Sequence, residues 1–419
     1  MIRIILLVST FVAATIQAFS QLKPAADSTA GLNVYINCMY CYKDYLRTQI
    51  TWANFVQDQF VSNVDLTITS LRTGSGGEAF QLQFAGKKDL QGLRDTLNFS
   101  VNAINTENEI REILLRKVKL GLVRYAACSS TGDCLKIESD AAKDSLDLGI
   151  GSNPEEDPWN AWVFRVGANG NISAQKVYQS AYFRGSISAS QVKETHKLSI
   201  NLWNSYSEQR YNYAGFQDTY ILRSQSVNLN YVHSLNNHWS AGGFAYTERS
   251  DFSNYDLYQN VSAALEYNVF PYQDAQTRML TFVYRVGFTY YDFQEETIFN
   301  KTIERIPAQT FKISTSFTKD WGQFSSGIEA ATFLNDFQKN HVYLWSNFDV
   351  RIFKGLSANA WINYSIQRDQ VNIRLNGASQ EEVLLQQQEL LTGFELNTYL
   401  GLNYRFGSIY NNVVNPRFD

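Results

Sequence analysis

The sequence predicts a mainly β protein: a C-terminal antiparallel transmembrane β-barrel of about 12 strands, preceded by a small periplasmic α+β domain. Three observations favour this fold. The 419 residues include 25 Tyr, 27 Phe and 8 Trp but only 6 Pro, and charged residues make up just 18%. Apolar and polar residues alternate with a period of two from about residue 159 to 407, as expected of strands with one apolar face. The connections between these segments alternate in length, as periplasmic turns and external loops do.

Residues 1–20 are predicted to be a signal peptide. Arg3 precedes an apolar run over residues 4–16, and Ala18 and Ser20 are small residues at the positions that a signal peptidase recognises. Cleavage before Gln21 follows, so the sequence predicts an exported protein. The near-neutral net charge of −4 gives no support to a nucleic-acid partner.

Residues 21–128 are predicted to form the periplasmic α+β domain. Two alternating segments, 64–69 and 80–84, flank the glycine-rich stretch 73–77, which predicts a β-hairpin. A phosphate-binding loop is disfavoured because a strand rather than a helix follows it. Thr106 and Glu109 form a capping-box sequence ahead of a helix, and helical spacing is also expected over residues 43–61.

The four cysteines form two local pairs, Cys38 with Cys41 and Cys128 with Cys134. In an exported protein such pairs predict two disulfides. A structural zinc site using all four thiolates is the alternative, and a redox-active Cys-x-x-Cys is a further one. We expect no cofactor and no metal site.

Residues 129–158 are predicted to be a linker, 159–407 the outer-membrane barrel and 408–419 a periplasmic tail. The clearest strand covers residues 280–290, and two weak segments, 177–190 and 323–335, could change the strand count by two. Long connections are expected at 211–219, 250–255, 292–304 and 374–391. A second capping box, Ser379 to Glu382, predicts a helix over residues 383–391.

The alternation places ten charged side chains on the polar face of the strands, which would point into the barrel: Arg165, Arg184, Lys197, Glu266, Arg285, Lys312, Glu329, Asp349, Arg351 and Arg405. Charges there avoid the cost of facing lipid. Basic residues outnumber acidic ones, so a pore or pocket with a mild anion preference is one interpretation. A salt-bridged interior that fills the barrel is the other.

The sequence gives no recognisable catalytic arrangement. Nucleophilic catalysis needs a nucleophile, a base and an orienting group, and none of the four histidines can be paired with a serine: His196, His233, His238 and His341. Asp292, Glu295 and Glu296 could provide carboxylates at a strand end, but a loop of acids is usually solvated. We therefore expect no enzyme activity, with an outer-membrane hydrolase as the least favoured alternative.

Three segments resemble an uncharacterised family of outer-membrane β-barrel proteins from Bacteroidota and neighbouring phyla: residues 162–167, residues 266–272, and the ending Asn411-Asn412-Val413-Val414-Asn415-Pro416-Arg417-Phe418. Cys38 to Cys41 and the loop 73–77 are similar to that family too. The barrel part distantly resembles the salt-induced outer-membrane protein family. The resemblance implies an outer-membrane location and a barrel, and no substrate or catalytic residue.

Two functions are compatible with these features of the sequence. The chain is expected to be an envelope anchor or interaction protein, whose partners are outer-membrane lipid and an envelope protein contacted through the N-terminal domain. The alternative is a small-solute pore or binding barrel.

Overall fold

The strands of this protein build two separate sheets, which we describe from a computed structural model. The structure describes residues 31–38, 41–74, 76–129, 157–213, 215–319, 321–353 and 355–404. The predicted signal peptide, most of the predicted linker and the predicted tail lie outside these residues. No helix in the described ranges is long and apolar enough to cross a membrane.

The first sheet has five strands in the order β2-β1-β3-β4-β5. Strand β1 runs parallel to both β2 and β3, and β3, β4 and β5 are antiparallel neighbours. Two helices complete this domain. The elements are β1 (Leu32–Asn37), α1 (Lys43–Gln49), β2 (Ala53–Val56), β3 (Val64–Arg72), β4 (Glu78–Gly86), β5 (Arg94–Val101) and α2 (Glu107–Ala127).

Helix α2 packs its apolar face on this sheet. Leu114, Leu122 and Tyr125 are fully buried against sheet residues such as Phe84. The Tyr125 hydroxyl donates a hydrogen bond to the Phe84 carbonyl oxygen over 3.1 Å, so the ring is buried without leaving its polar atom unpaired. Gly121 lies directly on the Phe84 ring, where a Cβ atom would come within 2.1 Å of Cζ.

The predicted capping box starts α2. The Glu109 amide donates to Thr106 Oγ1 at 3.3 Å, and the Thr106 amide donates to Glu109 Oε2 at 2.8 Å. These hydrogen bonds favour the charged carboxylate, and the backbone amide of Thr106 is the main reason that the pKa of Glu109 lies below its usual value.

The predicted hairpin at residues 73–77 joins β3 and β4. The Thr73 amide donates to the Gly77 carbonyl at 2.8 Å, and Gly76 has a φ of +81°, which glycine adopts without strain. The helical prediction over residues 43–61 is wrong beyond Gln49. There the chain forms β2, because pairing with β1 outweighs local helical spacing.

The second sheet has twelve strands, and each pairs antiparallel with its neighbour in sequence. This confirms the predicted fold class and strand number, and the two weak segments are strands β7 and β14. The strands are β6 (Trp162–Ala174), β7 (Tyr178–Val192), β8 (His196–Tyr213), β9 (Phe216–Ser234), β10 (Trp239–Ser250), β11 (Tyr255–Asn268), β12 (Arg278–Phe293), β13 (Ile303–Lys319), β14 (Gly322–Phe333), β15 (Asn340–Phe353), β16 (Leu356–Gln367) and β17 (Phe394–Tyr404). Among the described residues β6 pairs only with β7 and β17 only with β16, so the sheet is not closed by hydrogen bonds.

The predicted alternation of connections holds only in part: the predicted long loop 250–255 is a four-residue turn, 251–254, and the connection 269–277 at the opposite end of the sheet is longer. Turns at one end of the sheet, which we call the short-turn end, join β7 to β8 and β13 to β14 through a few residues. The other end, the long-loop end, carries the 294–302 and 368–393 connections. The predicted long loop 211–219 is wrong, because β8 runs to Tyr213 and β9 starts at Phe216. Cross-strand pairs Tyr211–Asp218 and Asn212–Gln217 extend the hairpin instead.

Candidate functional site

The two faces of the twelve-stranded sheet differ in polarity. One register row crosses seven neighbouring strands and is entirely apolar: Phe164, Ala189, Ile200, Leu229, Ala245, Val261 and Phe288. The adjacent row, one residue away and so on the opposite face, is mostly polar: Arg165, Ser188, Asn201, Asn228, Tyr246, Asn260 and Thr289. The face carrying the apolar row is exposed, with Phe164 at 60% and Val261 at 63%.

Nine of the ten charged residues singled out in the sequence lie on the polar face. They are Arg165, Arg184, Lys197, Glu266, Arg285, Lys312, Glu329, Asp349 and Arg351. Those on β6–β12 are an even number of residues from the polar row, and those on β13–β15 pair in register with residues of the same face. Arg405 lies outside the described residues. Several of these cations contact aromatic rings of the same face: the Arg285 guanidinium lies 4.4 Å from the Phe244 ring and that of Arg184 lies 5.6 Å from the Trp203 ring.

The N-terminal domain contacts the short-turn end of the sheet at separate points. The Arg351 guanidinium lies 4.3 Å from the ring of Tyr35 in β1. Asn37 Nδ2 donates to the carbonyl of Lys319 at 3.4 Å, and Ser190 Oγ reaches the carbonyl of Gly74 at 3.5 Å. The domain therefore touches both the β7 side and the β13–β15 side of this end.

Glu266 lies at the same end and accepts a hydrogen bond from the Tyr272 hydroxyl over 2.8 Å. Ser240 Oγ is 2.9 Å from the same hydroxyl. Burial is the main reason that the pKa of Tyr272 rises to about 12. This phenol thus stays protonated at neutral pH and ties the β11–β12 turn to β10.

The connection between β16 and β17, residues 368–393, folds back over the long-loop end, and we call it the cap segment. Its residues Val371 and Asn372 are only 2% and 4% exposed. Val371 packs against Tyr291, Phe293, Ile306 and Phe333. The predicted helix over 383–391 is wrong: the capping box forms, with the Glu382 amide donating to Ser379 Oγ at 3.1 Å, but the helix, α3, covers only Gln380–Leu384.

Hydrogen bonds attach the cap segment to three distant parts of the sheet. Arg374 Nη2 donates to the Asp251 carbonyl at 2.6 Å, next to β10, and the Ile298 amide donates to the Ile373 carbonyl at 2.9 Å. Gln387 Nε2 donates to Gln209 Oε1 of β8 at 3.2 Å. Strands β10 and β17 would lie about 34 Å apart in a flat sheet, given about 4.8 Å per strand, yet Tyr246 of β10 and Glu395 of β17 line one cavity. The sheet is therefore strongly curved, and the cap segment spans its concave side.

A cavity of about 540 Å³ lies beneath the cap segment, and we call it the chamber. Side chains of β10, β11, β12, β14, β15, β16 and β17 line it together with the cap segment. The lining combines tyrosines, carboxylates and amides: Tyr246, Glu248, Tyr255, Tyr258, Tyr291, Glu329, His341, Tyr343, Ser365, Gln367, Asp369, Gln370, Asn372, Glu389 and Glu395. Of the residues singled out in the sequence, the chamber contains Glu329 and His341.

His341 lies between two carboxylates. Its Nδ1 is hydrogen-bonded to Asp369 of the cap segment, and its Nε2 is 3.9 Å from Glu329 Oε1. Glu329 is also 3.9 Å from Lys312 Nζ. Nε2, the ring nitrogen that would accept a proton from a hydroxyl nucleophile, thus faces a carboxylate. Asp369 was missed by sequence reasoning, since nothing in its local pattern marks it.

The carboxylates considered for a protease site are engaged otherwise. Glu295 Oε1 lies 3.1 Å from Arg374 Nε of the cap segment, and the Glu296 carbonyl accepts from the Leu375 amide at 2.8 Å. Glu295 thus contacts the cap segment through its carboxylate, whereas Glu296 does so through its backbone carbonyl. Among the described residues no group of three or more metal-ligating side chains is found.

The cysteine prediction is confirmed for one pair. Cys38 and Cys41 form a disulfide with a Cα–Cα distance of 6.1 Å, and both residues are buried in the core of the N-terminal domain. Cys128 follows helix α2. Its predicted partner Cys134 lies outside the described residues, so that pairing stays a prediction.

Comparisons with known proteins give little beyond the fold. No family model matches the chain, and no curated protein matches it. Among solved structures, the NanC porin is 12% identical, with 57% of this chain and 98% of that chain covered and a TM-score of 0.26. The translocator domain of the autotransporter NalP from Neisseria meningitidis is also 12% identical, with 58% and 87% covered and a TM-score of 0.25. Likeness at this level does not say what this chain does.

Proposed function

We propose that this chain is an integral outer-membrane β-barrel protein, with its N-terminal domain docked beneath the barrel in the periplasm, and that it acts as an envelope anchor or interaction protein. The observation that carries the membrane assignment is the apolar register row from Phe164 to Phe288 on the exposed convex face. A continuous exposed apolar surface of this kind is costly in water and is what lipid covers.

The docked domain supports the anchoring role. It holds the short-turn end through Tyr35, Asn37 and Gly74, and the cap segment covers the opposite end. A barrel contacted at both ends by its own chain is a poor fit to a freely open pore. It suits a protein that fixes a folded periplasmic domain to the membrane surface.

Crosslinking in intact envelopes tests the anchoring role. We expect the full chain to bring down a stoichiometric envelope protein, and a chain lacking residues 22–145 to lose it while its barrel still shows heat-modifiable migration on gels. Recovery of the same partner by the truncated chain would overturn the role of the N-terminal domain. Conductance in planar bilayers is the second test: a steady current from the full chain would contradict a barrel whose two ends are covered by its own chain.

A solute-binding barrel is the second candidate, and the chamber favours it. Its volume of about 540 Å³ lies in the usual range for small-molecule sites. The acid-rich lining gives no support at this end to the anion preference that the basic residues suggested.

A further inference from the structure

We propose that the chamber binds a small organic cation, such as a quaternary or primary amine, at the long-loop end of the sheet. This inference goes beyond the anchoring role and does not depend on any protein partner. It rests on the aromatic lining of the chamber, on its unbalanced charge and on its cover.

Four tyrosine rings form one connected aromatic wall. The Tyr258 centroid lies 5.2 Å from those of Tyr255 and Tyr291 and 5.8 Å from that of Tyr246, and Tyr255 and Tyr291 are 5.9 Å apart. Aromatic faces grouped in this way attract cations through the negative face of the ring and accept methyl or methylene groups by contact.

The charge of the lining is strongly negative. Five carboxylates line the chamber, Glu248, Glu329, Asp369, Glu389 and Glu395, against a single basic lining residue, His341. Glu329 and Asp369 face His341, and Glu329 also faces Lys312. The other three carboxylates make no ion pair within the described part of the chain.

Glu248 and Glu389 accept hydrogen bonds from neutral donors only. Glu248 accepts from the Tyr246 hydroxyl at 3.0 Å and from Ser224 Oγ at 3.3 Å. Glu389 accepts from Asn372 Nδ2 at 2.8 Å and from Gln370 Nε2 at 3.0 Å. These hydrogen bonds fix the oxygens but leave the negative charge uncompensated, so a cation in the chamber would supply the missing charge.

The cover of the chamber is made of polar backbone and amides rather than of a basic side chain. Asn372 and Gln370 of the cap segment face the cavity and are at least nine-tenths buried. The cap segment has two arginines, and neither lines the chamber. Arg374 is directed to Asp251, Gln388 and Glu295 instead. The cap segment therefore covers this side of the chamber without neutralising it, and the uncompensated carboxylates attract a cation.

Titration calorimetry on the purified full chain in detergent tests the proposal, with choline as the probe. Its control ligand is 3,3-dimethylbutan-1-ol, which has the same shape without the charge. We expect choline to bind and the neutral alcohol to bind about tenfold more weakly or not at all. No measurable choline binding, or equal binding of the two, would overturn the proposal.

Variants assign the binding to the chamber. Glu248→Gln removes the charge while its hydroxyl partners can reorient, and we expect it to weaken choline binding about tenfold. Tyr258→Leu should weaken choline binding about fivefold, because it removes one ring of the aromatic wall. Glu296→Gln, an exposed acid of the neighbouring loop, is the matched control and should bind as the parent does. Heat-modifiable migration verifies that each variant is folded, and a folded Glu248→Gln variant with unchanged affinity would contradict the assignment.

Discussion

Asn254 and Asn372 join two loops that are 118 residues apart in sequence. Asn254 Nδ2 donates to the Asn372 carbonyl at 3.0 Å, and Asn372 Nδ2 donates to the Ser253 carbonyl, also at 3.0 Å. Asn254 is 2% exposed and has a φ of +61°, a conformation that asparagine tolerates better than most residues. This reciprocal pair connects the β10–β11 turn to the cap segment over the chamber.

Replacing Asn372 by alanine should release the cap segment. Its amide makes hydrogen bonds to Ser253 and Glu389, and the loss of buried hydrogen bonds costs about 1–3 kcal/mol. Hydrogen exchange of residues 368–393 is the measurement, and we expect faster exchange there with the strands unchanged. Asn376→Ala, at an exposed position of the same segment, is the control and should exchange as the parent does. Exchange as slow as in the parent for Asn372→Ala too would contradict the role of Asn372.

Two adjacent residues of β9 test which face meets lipid. Leu229 belongs to the apolar row and Asn228 to the polar row. Leu229→Arg should destabilise the folded protein in vesicles by about 2–4 kcal/mol if its site is at mid-depth, whereas Asn228→Arg should cost far less. Denaturant titration of folding into lipid vesicles measures both, and equal costs would argue against a lipid-facing convex side.

Gly121→Ala should destabilise the N-terminal domain despite the better helix propensity of alanine. The propensity gain is about 1 kcal/mol, but the added Cβ would meet the Phe84 ring at 2.1 Å, and overpacking of a core costs about 1–3 kcal/mol. Hydrogen exchange of α2 in the full chain reports the change. Leu120→Ala on the exposed side of the same helix is the control. A more protected helix in Gly121→Ala would show that the core around Phe84 rearranges to accept the added Cβ.

Acid should weaken the start of α2 through Glu109. Its pKa is lowered in the folded state, so its contribution to stability is present above the ordinary Glu value of about 4.3 and is lost as the pH falls through the lower folded pKa. Glu109→Gln should remove this part of the pH dependence. Exchange rates of the first turn of α2 between about pH 3 and 6 measure it, and identical profiles for parent and variant would rule out the linkage.

The strands were predictable because the signal is local. Residues 280–290 alternate with Val283 as the one exception, and the resulting strand β12 pairs along its length with β11 and β13. The polar-face position of charges such as Arg285 and Glu329 follows from the same period. The capping box at Thr106 was equally predictable, because its partner Glu109 is only three residues away.

The chamber was not predictable, because it depends on contacts that leave no local pattern. Val371 and Asn372 follow a strand in a stretch without periodicity, and their burial comes from β11–β14 and the β10–β11 turn. Asp369 is an ordinary loop acid until it meets His341. Strand β5 and the contact of Tyr35 with Arg351 were missed for the same reason, since long-range pairing decides both.

The order in which the chain pairs has a consequence for assembly. Every strand of the large sheet pairs with the strand next to it in sequence, so the sheet can form hairpin by hairpin with little loop-closure cost. The cap segment instead joins residues far back along the chain, and it comes after eleven of the twelve strands. The sheet would therefore be nearly complete while its interior still faced the outside, and the interior would become a compartment only when the cap segment arrived.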